Sequence, residues 1–169
     1  DQNGITGNFD SSTGVLTLSG TATIAEYEIA IRSIVYDNSS QSPVTLSRTV
    51  EFVVNDGEDD SFPASRVIEI TSVNDRPTVT MTASNLSYTE DDGQVAVDSG
   101  ITVTDQDHSD LTGASVSIEV NHNSGEDTLV FTNQNGITGS FDSSAGVLTL
   151  SGTASVEEYQ AAIRSVAYD

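Results

Sequence analysis

The chain has 169 residues, 36% of them hydrophobic, with 26 acids against five Arg and no Lys, a formal net charge of −21. Such a polyanion repels nucleic acid and anionic lipid, and a chain without Cys has no disulfide, no thiolate metal site and no thiol nucleophile. No stretch approaches the roughly 18 apolar residues of a membrane span, so membrane insertion is not expected.

The length allows one large or two small domains with a genuine core. Abundant Ser, Thr, Asn, Asp, Val and Ile predict pleated strands joined by polar turns. No signal peptide is visible, and the start at Asp1 inside a patterned segment is expected of a piece of a longer chain. Residues Asp1 to Asp37 return almost letter for letter as Asn133 to Asp169. The offset, 133 minus 1, is a period of 132 residues, the size of a whole domain rather than of a solenoid repeat. The expected parent is an array of near-identical domains.

In chain order, Asn3-Gly4 signals a turn, and Phe9 to Gly14 is a polar turn leading into the alternating strand Val15 to Leu18. Thr23 with Glu26, and Ser155 with Glu158, read as capping boxes. Ile24, Tyr27 and Ile31 then follow at helical spacing, so a short helix is predicted that gives way near Arg32 to a strand ending at Tyr36. Residues 39 to 43 are a loop. Val50, Phe52 and Val54 alternate as a strand, Asn55-Asp56-Gly57 turns it, and Ala64 to Val73 is the next strand. The hinge Ser72 to Pro77 follows, where Pro77 removes an amide donor and biases Arg76 to extended geometry. Beyond it, strands are predicted at Val79 to Met81, Leu86 to Glu90, Ile101 to Val103, Val116 to Val120 and Leu129 to Phe131, before the repeat returns. Many short strands with frequent turns indicate an all-β, Greek-key β-sandwich with one short helix per repeat.

Placed on the period, residues 1–76 are the closing part of one module and residues 77–169 the opening part of the next. Neither part is expected to bury a complete sandwich core alone. Completion between chains, 77–169 of one against 1–76 of another, would be heterologous and would build linear arrays. The alternative is a permuted single domain with one repeat copy spare.

The acids are either a solvated surface or clusters that hold divalent cations. Alternate residues of an extended segment point the same way, so Asp105 and Asp107 converge. Asp56, Asp91, Asp92, Glu126 and Asp127 fit Asx-turn chemistry as well as they fit ligation, and Asp110 is open to both readings. Asn74 and Asp75 lie between modules, which favours a cation over a simple turn. His108 and His122 read as solvated loop residues, since no Cys or paired His accompanies them. No nucleophile elbow or phosphate loop is present. Paired carboxylates could suit a glycosidase, but a domain repeated almost unchanged amplifies length or valency, so no enzyme is expected.

Four segments together resemble the cadherin-like repeats of large bacterial surface proteins such as RTX-type adhesins. Tyr88-Thr89-Glu90 resembles the Glu ending the family's first strand, and Asp105-Gln106-Asp107 its DxD. Asn55-Asp56-Gly57 resembles the Asp-Gly segment after the penultimate strand, and Val73-Asn74-Asp75-Arg76-Pro77 the inter-module linker. The resemblance implies a cadherin/immunoglobulin-like fold with Ca2+ at the joints between modules. Asp75 and Asn74 would join Asp105 and Asp107 at the joint near Pro77, with Glu90 serving the next joint and Asp56 the preceding one. Two departures stand out: Leu18 to Ala22 contains no carboxylate where the family carries an LDRE-like pair, and Arg76 replaces a usual Asn. Fewer ions per joint are therefore expected.

The implied function is a calcium-rigidified extracellular spacer or adhesion module at a bacterial cell surface. Its expected partners are neighbouring repeats, a self-associating second copy, or a host-cell, glycan or biofilm surface. The alternative is a calcium-dependent module that binds a glycan or its own kind.

Overall fold

The structure is a computed structural model describing residues 1–169. Its elements in chain order are β1 (Thr6–Asp10), β2 (Val15–Ser19), α1 (Ile24–Arg32), β3 (Arg48–Phe52), β4 (Ala64–Ile68), β5 (Thr78–Thr80), β6 (Val95–Ala96), β7 (Thr102–Thr104), β8 (Asp110–Ser117), β9 (Leu129–Val130), β10 (Thr138–Asp142), β11 (Val147–Ser155), α2 (Val156–Arg164) and β12 (Ala167–Tyr168). The fold is all-β and sandwich-like, built of small antiparallel sheets with two short helices. Two compact units form, Asp1–Ser39 and Ser40–Asp169.

In the first unit β1 and β2 make a hairpin from Thr6↔Ser19 to Asp10↔Val15. The Asp10 carboxylate accepts hydrogen bonds from the Ser12 amide and hydroxyl, and Gly14 takes φ +73° to reverse the chain. Gly20 is required: at φ +145°, a Cβ there would stand 2.3 Å from the Gly4 carbonyl oxygen. Helix α1 opens on the predicted box, in which the Glu26 amide donates to Thr23 Oγ1 and the Thr23 amide to the Glu26 carboxylate. Tyr27 donates its hydroxyl proton to the Gly20 carbonyl, tying the helix to the hairpin.

The second unit holds a three-stranded sheet ordered β10-β11-β8, another ordered β6-β12-β9, and the pairs β3-β4 and β5-β7. Leu148 and Leu150 alternate inward along β11 while Thr149 faces out, the period of a half-buried strand. They meet Leu129 of β9 and, from α2 and its end, Tyr159, Ala162 and Val166. Each large apolar side chain buried there contributes about 1.5–3 kcal/mol relative to exposure. The β11–β8 ladder shifts register between Ser151 and Ala154, where Gly152 adopts φ +138°.

Several strands are shorter than their sequence pattern. Pairing of β3 with β4 ends at Phe52↔Ala64, after which Val54 and Ser61 bond each other and Asn55 bridges Asp60, so Val54 belongs to the loop. Leu86 to Glu90 forms no strand, because the Thr89 amide is taken by the Asp92 carboxylate and the Thr89 carbonyl by the Asp92 amide. Met81 lies outside β5, and Ile70 to Val73 outside β4. The strand predicted up to Tyr36 is absent, whereas its counterpart β12 forms between β6 and β9. A strand needs a partner for its amides, and only the second copy has them. Pro77 immediately precedes β5, so the hinge opens a strand inside the larger unit.

Candidate metal centre

Strand β5 pairs with β7, from Thr78↔Thr104 to Thr80↔Thr102. This pairing sets the hinge before Thr78 beside the loop after Thr104, so a linker residue and the Asp105-Gln106-Asp107 loop come together. In that loop the Asp105 side chain is almost fully buried, 2% exposed. Its Oδ1 accepts the amides of Asp107 and His108, each at 2.8 Å. Those two amides, His108's the stronger, hold the Asp105 carboxyl below its ordinary range. The turn thus keeps a charged carboxylate inside the protein.

Asp107 takes the opposite role. Its Oδ2 accepts the amide of Asp75, binding the hinge to the loop. Its Oδ1 is buried and has no hydrogen-bond partner. A buried carboxylate oxygen left unpaired is costly, and a cation relieves that cost. Ligand atoms of Asp105, Asp107 and His108 lie within 4.8 Å of one another. The two carboxylates fit a hard, oxygen-seeking cation. His108 brings Nδ1 to 3.6 Å from Asp105 Oδ1, a nitrogen that suits a softer ion better than calcium. Its place three residues after Asp105, in a turn nucleated by that Asp, is the sequence signal that puts it there.

The other sequence-derived residues divide clearly. Asn74 spends its side-chain amide on the Asp75 carbonyl, 2.8 Å away, and so shapes the hinge. Asp56 caps its own loop, accepting the amides of Asp59 and Glu58, which lower its pKa. Asp110 begins β8 opposite Ser155 and accepts the Ser109 hydroxyl. Glu90 is exposed in a turn. Asp56, Asp110 and Glu90 stand outside the Asp105–Asp107 cluster.

One further acid escaped the sequence reading, and another, Asp127, was read there only as a turn acid or a ligand. Asp98 is buried and accepts the Thr82 amide and hydroxyl and the Gly100 amide, an interaction that stitches the loop after β5 to the loop before β7. Asp127 accepts the Tyr168 hydroxyl and the Asn123 amide, locking the 121–127 loop to β12. Spacing alone gives no signal for the contacts to Thr82 and Tyr168, which lie 16 and 41 residues away.

No family model matches the chain, and no solved structure matches it. Among curated proteins it is similar to halomucin of Haloquadratum walsbyi, 38% identical over 102 residues that cover 57% of this chain and 1% of that protein. The chain thus spans about one-hundredth of that relative's length. The internal 132-residue repeat shows that the sequence is repetitive, and the partial similarity to halomucin supports a repetitive surface-protein module. No helix is long and apolar enough to cross a membrane.

Proposed function

We propose that the chain is a calcium-stiffened spacer and adhesion module of a long extracellular protein, with the ion held where the Ser72–Pro77 hinge meets the Asp105–Asp107 loop. The observation that supports this most is the buried, unpartnered Asp107 Oδ1 beside the buried Asp105 carboxylate. Asp105 and Asp107 would supply the charged ligands, with the Asp75 carboxylate, whose own amide is already on Asp107, as a third from the hinge side. A bound cation would then join hinge and loop through charge as well as through one hydrogen bond. With 26 acids against five Arg, neutralisation at the joint also reduces self-repulsion. Stiffness between successive modules is the expected output, and the acidic surface keeps the array soluble.

The test is thermal unfolding with calcium and with chelator, for the wild type and for Asp105→Asn with Asp107→Asn. Asn keeps an oxygen acceptor for the turn amides while losing the charge. At calcium about 100 times Kd, binding adds about 2.7 kcal/mol, a rise of roughly 5–10 °C for a unit of this size. The variant should lose that rise. A wild-type melting temperature indifferent to calcium refutes the proposal.

A further inference from the structure

The turn from Asp105 to His108 carries a nitrogen donor that calcium leaves idle. Ligand atoms of Asp105, Asp107 and His108 lie within 4.8 Å of one another. In a four-coordinate zinc site, with bonds of roughly 2.0–2.1 Å, neighbouring ligand atoms stand about 3.4 Å apart. His108 Nδ1 is already 3.6 Å from Asp105 Oδ1, on a side chain that is 59% exposed and so free to turn. A modest rotation closes the set.

The carboxylate oxygens are sorted in advance. Asp105 Oδ1 holds the amides of Asp107 and His108, and Asp107 Oδ2 holds the amide of Asp75, so one oxygen of each carboxylate is committed to the backbone. Asp107 keeps Oδ1, buried and without a partner. Two carboxylates and an imidazole are at most half of the six to eight oxygens that calcium collects, but they are the full protein share of a zinc site with one open position. That position has room. A cleft of about 310 Å³ borders Asp105 and His108 and is walled also by Val103, Ser109, Val156 and Glu157. One side of it is fixed where the Val156 amide, at the start of α2, donates to the Ser109 carbonyl at 2.9 Å.

We infer that this turn binds a divalent transition ion of the zinc class, with Asp105, Asp107 and His108 as protein ligands and water from the cleft as the fourth. Zinc binding here rests on the cation site proposed above, and His108 is the residue that selects the ion. Both ions need the two aspartates, so one excludes the other: calcium draws on Asp75 and further oxygens, zinc on the imidazole. Every group involved lies in the Ser40–Asp169 unit.

The test titrates Zn2+ into the chain in calcium-free buffer while the ring signals of both histidines are followed by NMR. His122, the only other His, packs its ring over Gly146 beyond β10 and serves as the internal control. The expected result is that the His108 signals shift and saturate at one equivalent while those of His122 stay in place, and that excess calcium displaces the zinc. His108→Asn, an exposed change whose folding the His122 signals verify, should weaken zinc binding at least about tenfold and keep the melting rise that calcium gives. The zinc site is overturned by His108 signals that ignore a large zinc excess, by equal shifts of both rings, by a His108→Asn variant that binds zinc as wild type does, or by zinc that calcium fails to displace while raising the melting temperature. A calcium-dependent rise without zinc binding leaves calcium standing alone, whereas zinc binding without that rise removes calcium and keeps zinc.

Discussion

The two copies of the repeat are the same peptide in two surroundings. Locally they agree: each has a capping box, a Gly in the left-handed region at the hairpin turn, and a Tyr hydroxyl donating to the carbonyl of the Gly seven residues before it. Their burial differs sharply. Leu148 is 2% exposed and Leu16 38%; Val156 is 8% exposed and Ile24 90%. The hairpin and helix are therefore set by short-range hydrogen bonds, while the core exists only where β6 to β9 are added to them. An identical side chain is a core residue in one place and a surface residue in the other.

Truncating equivalent leucines sharpens this contrast most. Leu148→Ala should cost about 2–5 kcal/mol in urea unfolding, and Leu16→Ala under about 1 kcal/mol. Equal losses would mean that the first copy is packed as the second is. Next in size are the paired glycines. Gly139→Ala drives a methyl into the Phe131 ring and should cost about 1–3 kcal/mol, whereas Gly7→Ala meets only ordinary contacts and should be neutral or slightly stabilising. Arg164→Met, which leaves the Ile101 carbonyl without its donor, should cost about 1 kcal/mol, against about 0.5 or less for the exposed Arg32→Met. These values also come from denaturant curves.

The smallest effect is one of pH. The Tyr168 hydroxyl, then the Asn123 amide, lower the pKa of Asp127 in the folded protein. A folded pKa below the unfolded one means that the stabilisation is complete above the unfolded value, about 3.9, and is lost as pH falls through the folded value. Asp127→Asn should therefore melt lower than wild type at pH 7, with the gap closing below about pH 4. A gap that persists in acid would assign the effect to packing instead.

Much of the fold was legible in short spacings. Thr23 with Glu26 and Ser155 with Glu158 announce both helices, and the alternation Val-Leu-Thr-Leu announces β2 and β11. Half of the candidate centre was legible too, because Asp105 and Asp107 are two residues apart and their convergence is local. The hydrogen bond from Asp75 to Asp107 spans 32 residues and depends on the β5–β7 pairing. Leu86 to Glu90 misled, since an apolar-polar pattern cannot tell that Asp92 takes the Thr89 amide.

By itself, then, the sequence determined the repeat, the β-rich class, the turns, the helix caps and the absence of thiol chemistry, all fixed by interactions within a few residues. Tertiary structure alone decided which copy has a core, whether Tyr36 or Tyr168 lies in a strand, and that an Asp107 oxygen is buried without a partner. Burial and strand pairing belong to the neighbours an element finds, and two nearly identical peptides found different ones.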